Sequence, residues 1–158
     1  MTRPQFDVPY VALGYDKSLI KQELVSAFEK VLQSGHYILG PELTNFEQKF
    51  AEYCHVDHSI GVSTGTDALS QVLIELDLKE GDEVITAPNS FIASASTIAL
   101  AGAKPVFADV GSDMNIDPHC IEAAITPQTR AIMPVHLTGR PAKMKEILEI
   151  AKHHNLFV

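Results

Sequence analysis

Clustered positive charge is the first thing this chain lacks. Its 158 residues carry 12 Lys and Arg against 20 Asp and Glu, for a formal net charge of -8, and the basic residues are scattered without a run. Phosphate backbones are held by clustered cations, so nucleic acid and other polyanions are excluded as partners. Long apolar runs are missing as well. None reaches the ~18 to 20 residues of a membrane span, and the start, Met1-Thr2-Arg3-Pro4-Gln5, has no apolar signal-peptide core. The expectation is a cytoplasmic protein with no membrane partner. Cysteine is scarce: Cys54 and Cys120 fall in no spaced metal or redox motif and are too few for a disulfide framework, so both read as reduced packing residues. Gly-x-Gly-x-x-Gly and Gly-Lys-Ser/Thr loops are absent, which removes the usual dinucleotide and nucleoside-triphosphate readings.

Two apparent metal motifs also fail on their own terms. The run Asp113-Met114-Asn115-Ile116-Asp117 imitates the start of an EF-hand, yet Pro118 stands where the loop needs glycine and Ala124 where it needs a bidentate glutamate. Asp117 is better read as the cap of a helix whose first residue is Pro118. His55/His58 and His153/His154 have no carboxylate or thiolate partners at ligand spacing, and adjacent helix positions do not share a face. No metal is expected.

What is present is a globular composition, 46% hydrophobic and 20% charged, large enough for one core. Short β-rich runs alternate with helical periodicity, the pattern of a mostly parallel sheet wound with crossover helices in three α/β/α layers. Leu24, Phe28, Val31 and Leu32 predict one helix and Leu43, Phe46, Phe50 and Tyr53 a second, flanking the glycine-bounded loop 34–41. Strands are expected at 59–63, 83–87, 104–110, 130–135 and 156–158, with helices at 67–78, 91–101, 118–125 and 141–153. Neither a repeat nor a low-complexity linker interrupts the chain. We therefore expect one continuous domain, with a helical segment at 1–58 leading into an α/β part at 59–158. The last apolar run has barely opened at Val158, so the chain reads as cut short within its sheet.

The richest local signal is Gly61-Val62-Ser63-Thr64-Gly65-Thr66-Asp67-Ala68-Leu69. Leu69, Val72, Leu73 and Leu76 recur at helical spacing, so a helix begins near Thr66 with its unpaired N–H groups and positive dipole end facing a small-residue turn. Such an end is suited to a bound anion. Taken alone, one such turn is first read as a plain Ser/Thr-capped helix with a flexible entry.

Order and spacing carry a wider resemblance. Gly35-His36-Tyr37-Ile38-Leu39-Gly40-Pro41-Glu42, the 61–69 turn, Gly81-Asp82-Glu83-Val84-Ile85-Thr86, Asn89-Ser90-Phe91-Ile92-Ala93, Gly102-Ala103-Lys104-Pro105-Val106-Phe107, Asn115-Ile116-Asp117-Pro118 and Pro134-Val135-His136-Leu137-Thr138-Gly139 follow one another through the chain. Together they resemble the N-terminal part of the DegT/DnrJ/EryC1/StrS family of pyridoxal-phosphate sugar aminotransferases, which share the aspartate aminotransferase fold.

That resemblance implies roles for particular residues. Gly65, Thr66 and the backbone of Asp67 match the family's cofactor-phosphate site, while the Asp67 side chain also suits a helix N-terminus as a plain structural acid. Phe91 matches the aromatic that stacks on the pyridine ring, against the alternative of a core phenylalanine. His136, at the end of a strand, has a substrate-side or cofactor-side role or is a hydrogen-bonded structural histidine. Tyr37 lies in the loop that in the family reaches the active site at the dimer interface, and it also suits surface packing.

The implied activity is transfer of an amino group from an amino acid, usually glutamate, to a nucleotide-linked keto-sugar by a homodimer. That chemistry needs a Schiff-base lysine and an acid at the pyridine nitrogen. In the family both follow the strand that begins at Leu156, and no lysine from Lys17 to Lys152 stands in a matching context. The chain alone is therefore expected to lack transaminase activity. Two other readings remain: a dehydratase relative in which the lysine is replaced, and a non-catalytic fragment or partner-binding module with an open sheet edge.

Overall fold

The computed structural model describes residues 18–158. The first part of the expected 1–58 segment, including Lys17 and the Met1 to Gln5 start, lies outside the described residues. The chain divides into two compact units, Met1–Gly61 and Val62–Val158.

The first unit contains helix α1 (Ser18–Ser34), the loop 35–40 and helix α2 (Pro41–Cys54). Pro41 opens α2 where its missing N–H costs nothing, and His55 closes it in the left-handed region, with N–H bonds to the carbonyls of Ala51 and Glu52. The strand expected at 59–63 does not form. Gly61 instead donates its N–H to Glu47 Oε1 at 2.7 Å, and a Cβ there would meet Leu43 Cδ1 at 2.6 Å. Gly61 is thus held against α2 by a side chain and close packing. Cys54, read from sequence as a packing residue, is exposed at the end of α2.

The second unit is a parallel α/β layer structure. Helix α3 (Gly65–Glu75) leads into strand β1 (Glu83–Thr86), then helix α4 (Ala93–Leu100), strand β2 (Lys104–Phe107), helix α5 (Pro118–Ala124), strand β3 (Thr129–Met133), a single 3-10 turn at Leu137–Gly139 and helix α6 (Met144–His154). The strand order is β2-β1-β3, all parallel. Phe157 adds a parallel bridge beside Ala131, with its N–H on Arg130 O at 3.0 Å and its carbonyl accepting from Ile132 N–H at 2.9 Å. The residues expected to open a further strand at 156–158 therefore lie against β3.

Alternation along β1 explains the layers. All four β1 residues are buried, so the strand is covered on both faces, as parallel sheets require. Val84 packs with Leu73, Ile98, Ala103 and Ala131, the side covered by α3 and α4. Ile85 packs with Ile121, Ile132, Ile147 and Ala151, the side covered by α5 and α6. Right-handed crossovers produce this arrangement. The chain moves one way from β1 to β2 through α4 and back across β1 to β3 through α5, so those two helices must lie on opposite faces.

Several elements are shorter than the sequence suggests. Helix α4 begins at Ala93, with Ile92 as its cap, so Phe91 precedes the helix and does not open it. Strand β2 stops at Phe107 because the chain then folds on itself, with Val110 bridging Ile116 and Asp117 N–H bonding Asp109 O at 2.9 Å. Asp117 caps α5 as expected, its Oδ1 accepting from His119 N–H at 2.9 Å with Pro118 next in line. At the end of α4, Gly102 takes φ +85°, a left-handed position that glycine fills without Cβ strain.

Candidate active site

Two neighbouring strands release their chains in opposite directions at their carboxyl ends. The loop after β1 leaves toward α4 on one face, and the loop after β3 leaves toward α6 on the other. A crevice outside the carboxyl ends of such diverging strands is where open α/β sheets place ligands. Phe91 stands on the first loop and His136 on the second.

Phe91 is 76% exposed, so it is not a core residue. Its backbone is fixed nonetheless: its carbonyl accepts from Ser94 N–H at 3.1 Å, and neighbouring Ser90 Oγ reaches Ser94 Oγ at 2.9 Å. An exposed ring on an anchored backbone is available to stack on a planar ligand.

His136 is held through one nitrogen. Its Nδ1 accepts from Ala142 N–H at 3.1 Å, closing the loop 136–142 on itself. A ring nitrogen that accepts carries no proton, which leaves the Nε2–H as the donor. His136 thus makes a structural hydrogen bond through Nδ1, and its Nε2 has no hydrogen-bond partner among the described residues.

Helix α3 begins one residue earlier than the sequence suggests. Thr64 is its cap, and Thr64 Oγ1 accepts from Asp67 N–H at 3.1 Å. The Ser63 hydroxyl bonds the Asp67 carboxylate. Of the three amides in question, Asp67 N–H is therefore engaged by the cap, and those of Gly65 and Thr66 have no partner among the described residues. A Cβ on Gly65 would meet nothing within 4 Å. The space before these two N–H groups is open, and the positive helix end faces it, an arrangement that fits a phosphate. A cleft of about 350 Å³ on this side of the sheet is lined by Leu69 of α3 together with Met133, Pro134 and His136. Within the same unit a wider hollow of about 610 Å³ lies beside the 125–130 turn, at the opposite end of β3.

Tyr37 belongs to the first unit. It is 65% exposed, and its hydroxyl donates to Leu32 O at 3.3 Å. Among the described residues no group of three or more His, Cys, Asp or Glu could hold a metal ion, and no helix is long and apolar enough to cross a membrane.

The residue that sequence reasoning passed over is Asn115. It is 1% exposed and bridges two loops: Oδ1 accepts from Leu137 N–H at 3.0 Å, and Nδ2 donates to Arg140 O at 3.2 Å. The available signal was its place in the false EF-hand, a polar residue between apolar neighbours in a segment with no metal to bind.

Known proteins resemble this chain in sequence and fold. The dTDP-3-amino-3,4,6-trideoxy-alpha-D-glucose transaminase of Streptomyces venezuelae is 43% identical over 152 residues, covering 96% of this chain and 40% of that protein. Among solved structures, S. venezuelae DesV in complex with a ketimine intermediate superposes with a TM-score of 0.84 at 46% identity, over 87% of this chain and 37% of the other. Bacillus subtilis NtdA with bound cofactor PMP does so with a TM-score of 0.84 at 37% identity, over 89% and 32%. The chain thus spans well under half the length of these relatives. The DegT/DnrJ/EryC1/StrS aminotransferase family, whose members use pyridoxal phosphate, matches residues 18–158. With a match over nearly all its described length and the same α/β layers beneath it, the chain belongs to the DegT/DnrJ/EryC1/StrS aminotransferase family.

Proposed function

We propose that this chain contributes the phosphate and ring-stacking part of a pyridoxal-phosphate site in an enzyme that moves an amino group from an amino acid, glutamate by family resemblance, to a nucleotide-linked keto-sugar. The observation that carries the reading is the start of α3, where two unpartnered N–H groups open onto free space at Gly65. One of the relatives named above is by its name a transaminase of a dTDP-linked amino sugar, which supports the substrate class. Residues 59–158 are accordingly read as part of the cofactor-binding large domain, 1–58 as the helical segment bearing the interface loop with Tyr37, and the working enzyme as a homodimer.

Within this chain the division of labour follows from chemistry. Gly65 and Thr66 N–H groups hold the phosphate, and the helix dipole adds to their attraction. Asp67 stays a structural acid through its bonds with Ser63 and Thr64. Phe91 covers one face of the ring and keeps water from it, and His136 offers Nε2–H at the crevice. Bound pyridoxal phosphate would supply the carbonyl that takes up an amino group and the ring that withdraws electrons. None of the chain's lysines is assigned to covalent attachment, so the 158-residue chain by itself binds the cofactor non-covalently and does not transaminate.

Titration of the purified chain with pyridoxal phosphate, followed by absorbance and by mass analysis after borohydride reduction, tests this. The expected result is saturable binding without a reduced adduct. Gly65→Trp starts from a Cβ with nothing within 4 Å and should weaken binding about tenfold or more, the equivalent of ~1.4 kcal/mol, with thermal unfolding of the variant separating lost binding from lost fold. Absence of binding, or a specific reduced lysine adduct, contradicts the proposal.

A further inference from the structure

Two asparagines knit together the three loops at the carboxyl edge of the sheet. Asn89, in the loop after β1, donates Nδ2–H to Met114 O at 2.9 Å, in the loop after β2. One residue on, Asn115 reaches the loop after β3, receiving Leu137 N–H at 3.0 Å and donating toward Arg140 O at 3.2 Å and Pro141 O at 3.5 Å. The orientation of the Asn115 amide follows from these partners, because an N–H needs the oxygen and two carbonyls need the amino group. Its own backbone is also committed: Asn115 N–H bonds Asp113 Oδ1 at 3.2 Å, and its carbonyl accepts from Gly111 N–H at 2.9 Å.

The consequence is a continuous path from Phe91 to His136. Asn89 lies two residues before Phe91, and Leu137, which Asn115 holds, directly follows His136. Hydrogen bonds made by a fully buried amide are strong positional constraints, since leaving either side unpaired exposes the remaining groups to a desolvation cost. The ends of β1 and β3 are already tied where Thr86 Oγ1 donates to Met133 O at 2.9 Å. The link through the β2 loop extends that tie to the loops beyond, which leave the sheet on opposite faces.

We propose that Asn115 and Asn89 are positioning residues that hold His136 and Phe91 in fixed relation across the crevice, so that a planar ring ligand meets both at once. The ligand half of this inference rests on the cofactor site proposed above, and the coupling half does not.

Asn115→Asp is the informative variant. It keeps the shape and the acceptor for Leu137 N–H but sets a carboxylate oxygen against the carbonyls of Arg140 and Pro141. The loop 136–142 should loosen, and the Ala142 amide held by His136 Nδ1 should exchange with solvent about tenfold faster, with amides of β1 unchanged. Pyridoxal phosphate should bind about tenfold more weakly while inorganic phosphate, which needs only the α3 terminus, binds as before. Asn89→Ala removes one hydrogen bond from an exposed side chain, and it should weaken pyridoxal phosphate alone while shifting the Phe91 ring resonances. Unchanged Ala142 exchange in Asn115→Asp overturns the coupling, as does equal weakening of both ligands in either variant. If the unsubstituted chain binds no pyridoxal phosphate, the proposed function fails, and Ala142 exchange together with the Phe91 resonances still decides the coupling. Should Asn115→Asp not fold, Asn89→Ala decides through the same two readouts.

Discussion

At the scale of single residues, two side chains illustrate how this fold separates stability from site. Thr64 caps α3 and satisfies one of its otherwise unpaired N–H groups, and its own hydroxyl occupies no ligand position. Thr64→Ala should cost about 1 kcal/mol of unfolding free energy, read from the denaturant midpoint, and Thr64→Ser should recover most of it. Glu83 does comparable work at the opposite edge of the sheet. Its Oε1 accepts from Lys104 Nζ at 2.8 Å and its Oε2 from the Thr126 hydroxyl at 2.6 Å, joining the starts of β1 and β2 to the turn before β3. The hydrogen bonds from Lys104 and Thr126 outweigh the effect of burial and hold the carboxyl below its ordinary value of 4.5. A carboxyl lowered by folding stabilises the native state above its unfolded value, and that contribution is lost as pH falls through the folded value. Unfolding free energy should therefore decline on acidification below about pH 4.5, and Glu83→Gln should flatten that part of the profile. An unchanged slope in the variant would remove Glu83 from the account.

At the scale of elements, the sheet depends on β1. It lies between β2 and β3, and each of its residues serves a different contact: Val84 one helical layer, Ile85 the other, Thr86 Oγ1 the carbonyl of Met133 at 2.9 Å. Ile85 is fully buried among residues of α5, α6 and β3, so Ile85→Ala removes apolar burial and leaves a cavity. A loss of about 2–5 kcal/mol is expected, and Ile85→Val should cost about 0.5–1.5 kcal/mol, both measured by chemical unfolding. The contrast with the two edges is instructive. Ionic contacts, Lys104 with Glu83 and Arg130 with Asp82, tie the amino edge. Neutral amides, Asn89 and Asn115, tie the three loops at the carboxyl edge.

At the scale of the whole molecule, net charge decides what cannot bind. With a formal charge of -8 and scattered basic residues, the chain should show no saturable binding to duplex DNA at low salt, where any electrostatic affinity would be greatest. Fluorescence anisotropy with a labelled duplex checks this, and binding that weakens with salt would contradict it. The anion site proposed at Gly65 and Thr66 is compatible with that charge because it uses backbone dipoles over a short range and requires no cationic surface.

The sequence by itself determined the alternation of helices and strands, the parallel α/β layers, the Asp117 cap and the hydroxyl-capped start of α3. Those features rest on local periodicity, capping chemistry and composition, which are written in neighbouring residues. Tertiary structure decided the rest. Whether 59–63 is a strand depended on distant pairing, and among the described residues it is the Glu47 carboxylate that takes the Gly61 amide. Whether Phe91 is core or exposed depended on α4 starting at Ala93. The Asn115 bridge joins residues more than twenty positions apart, and no local pattern marks a buried amide whose partners are backbone groups of distant loops. Hydrogen bonds of that kind exist only once the sheet has brought its carboxyl edges together, so they are a property of the fold and not of the segment.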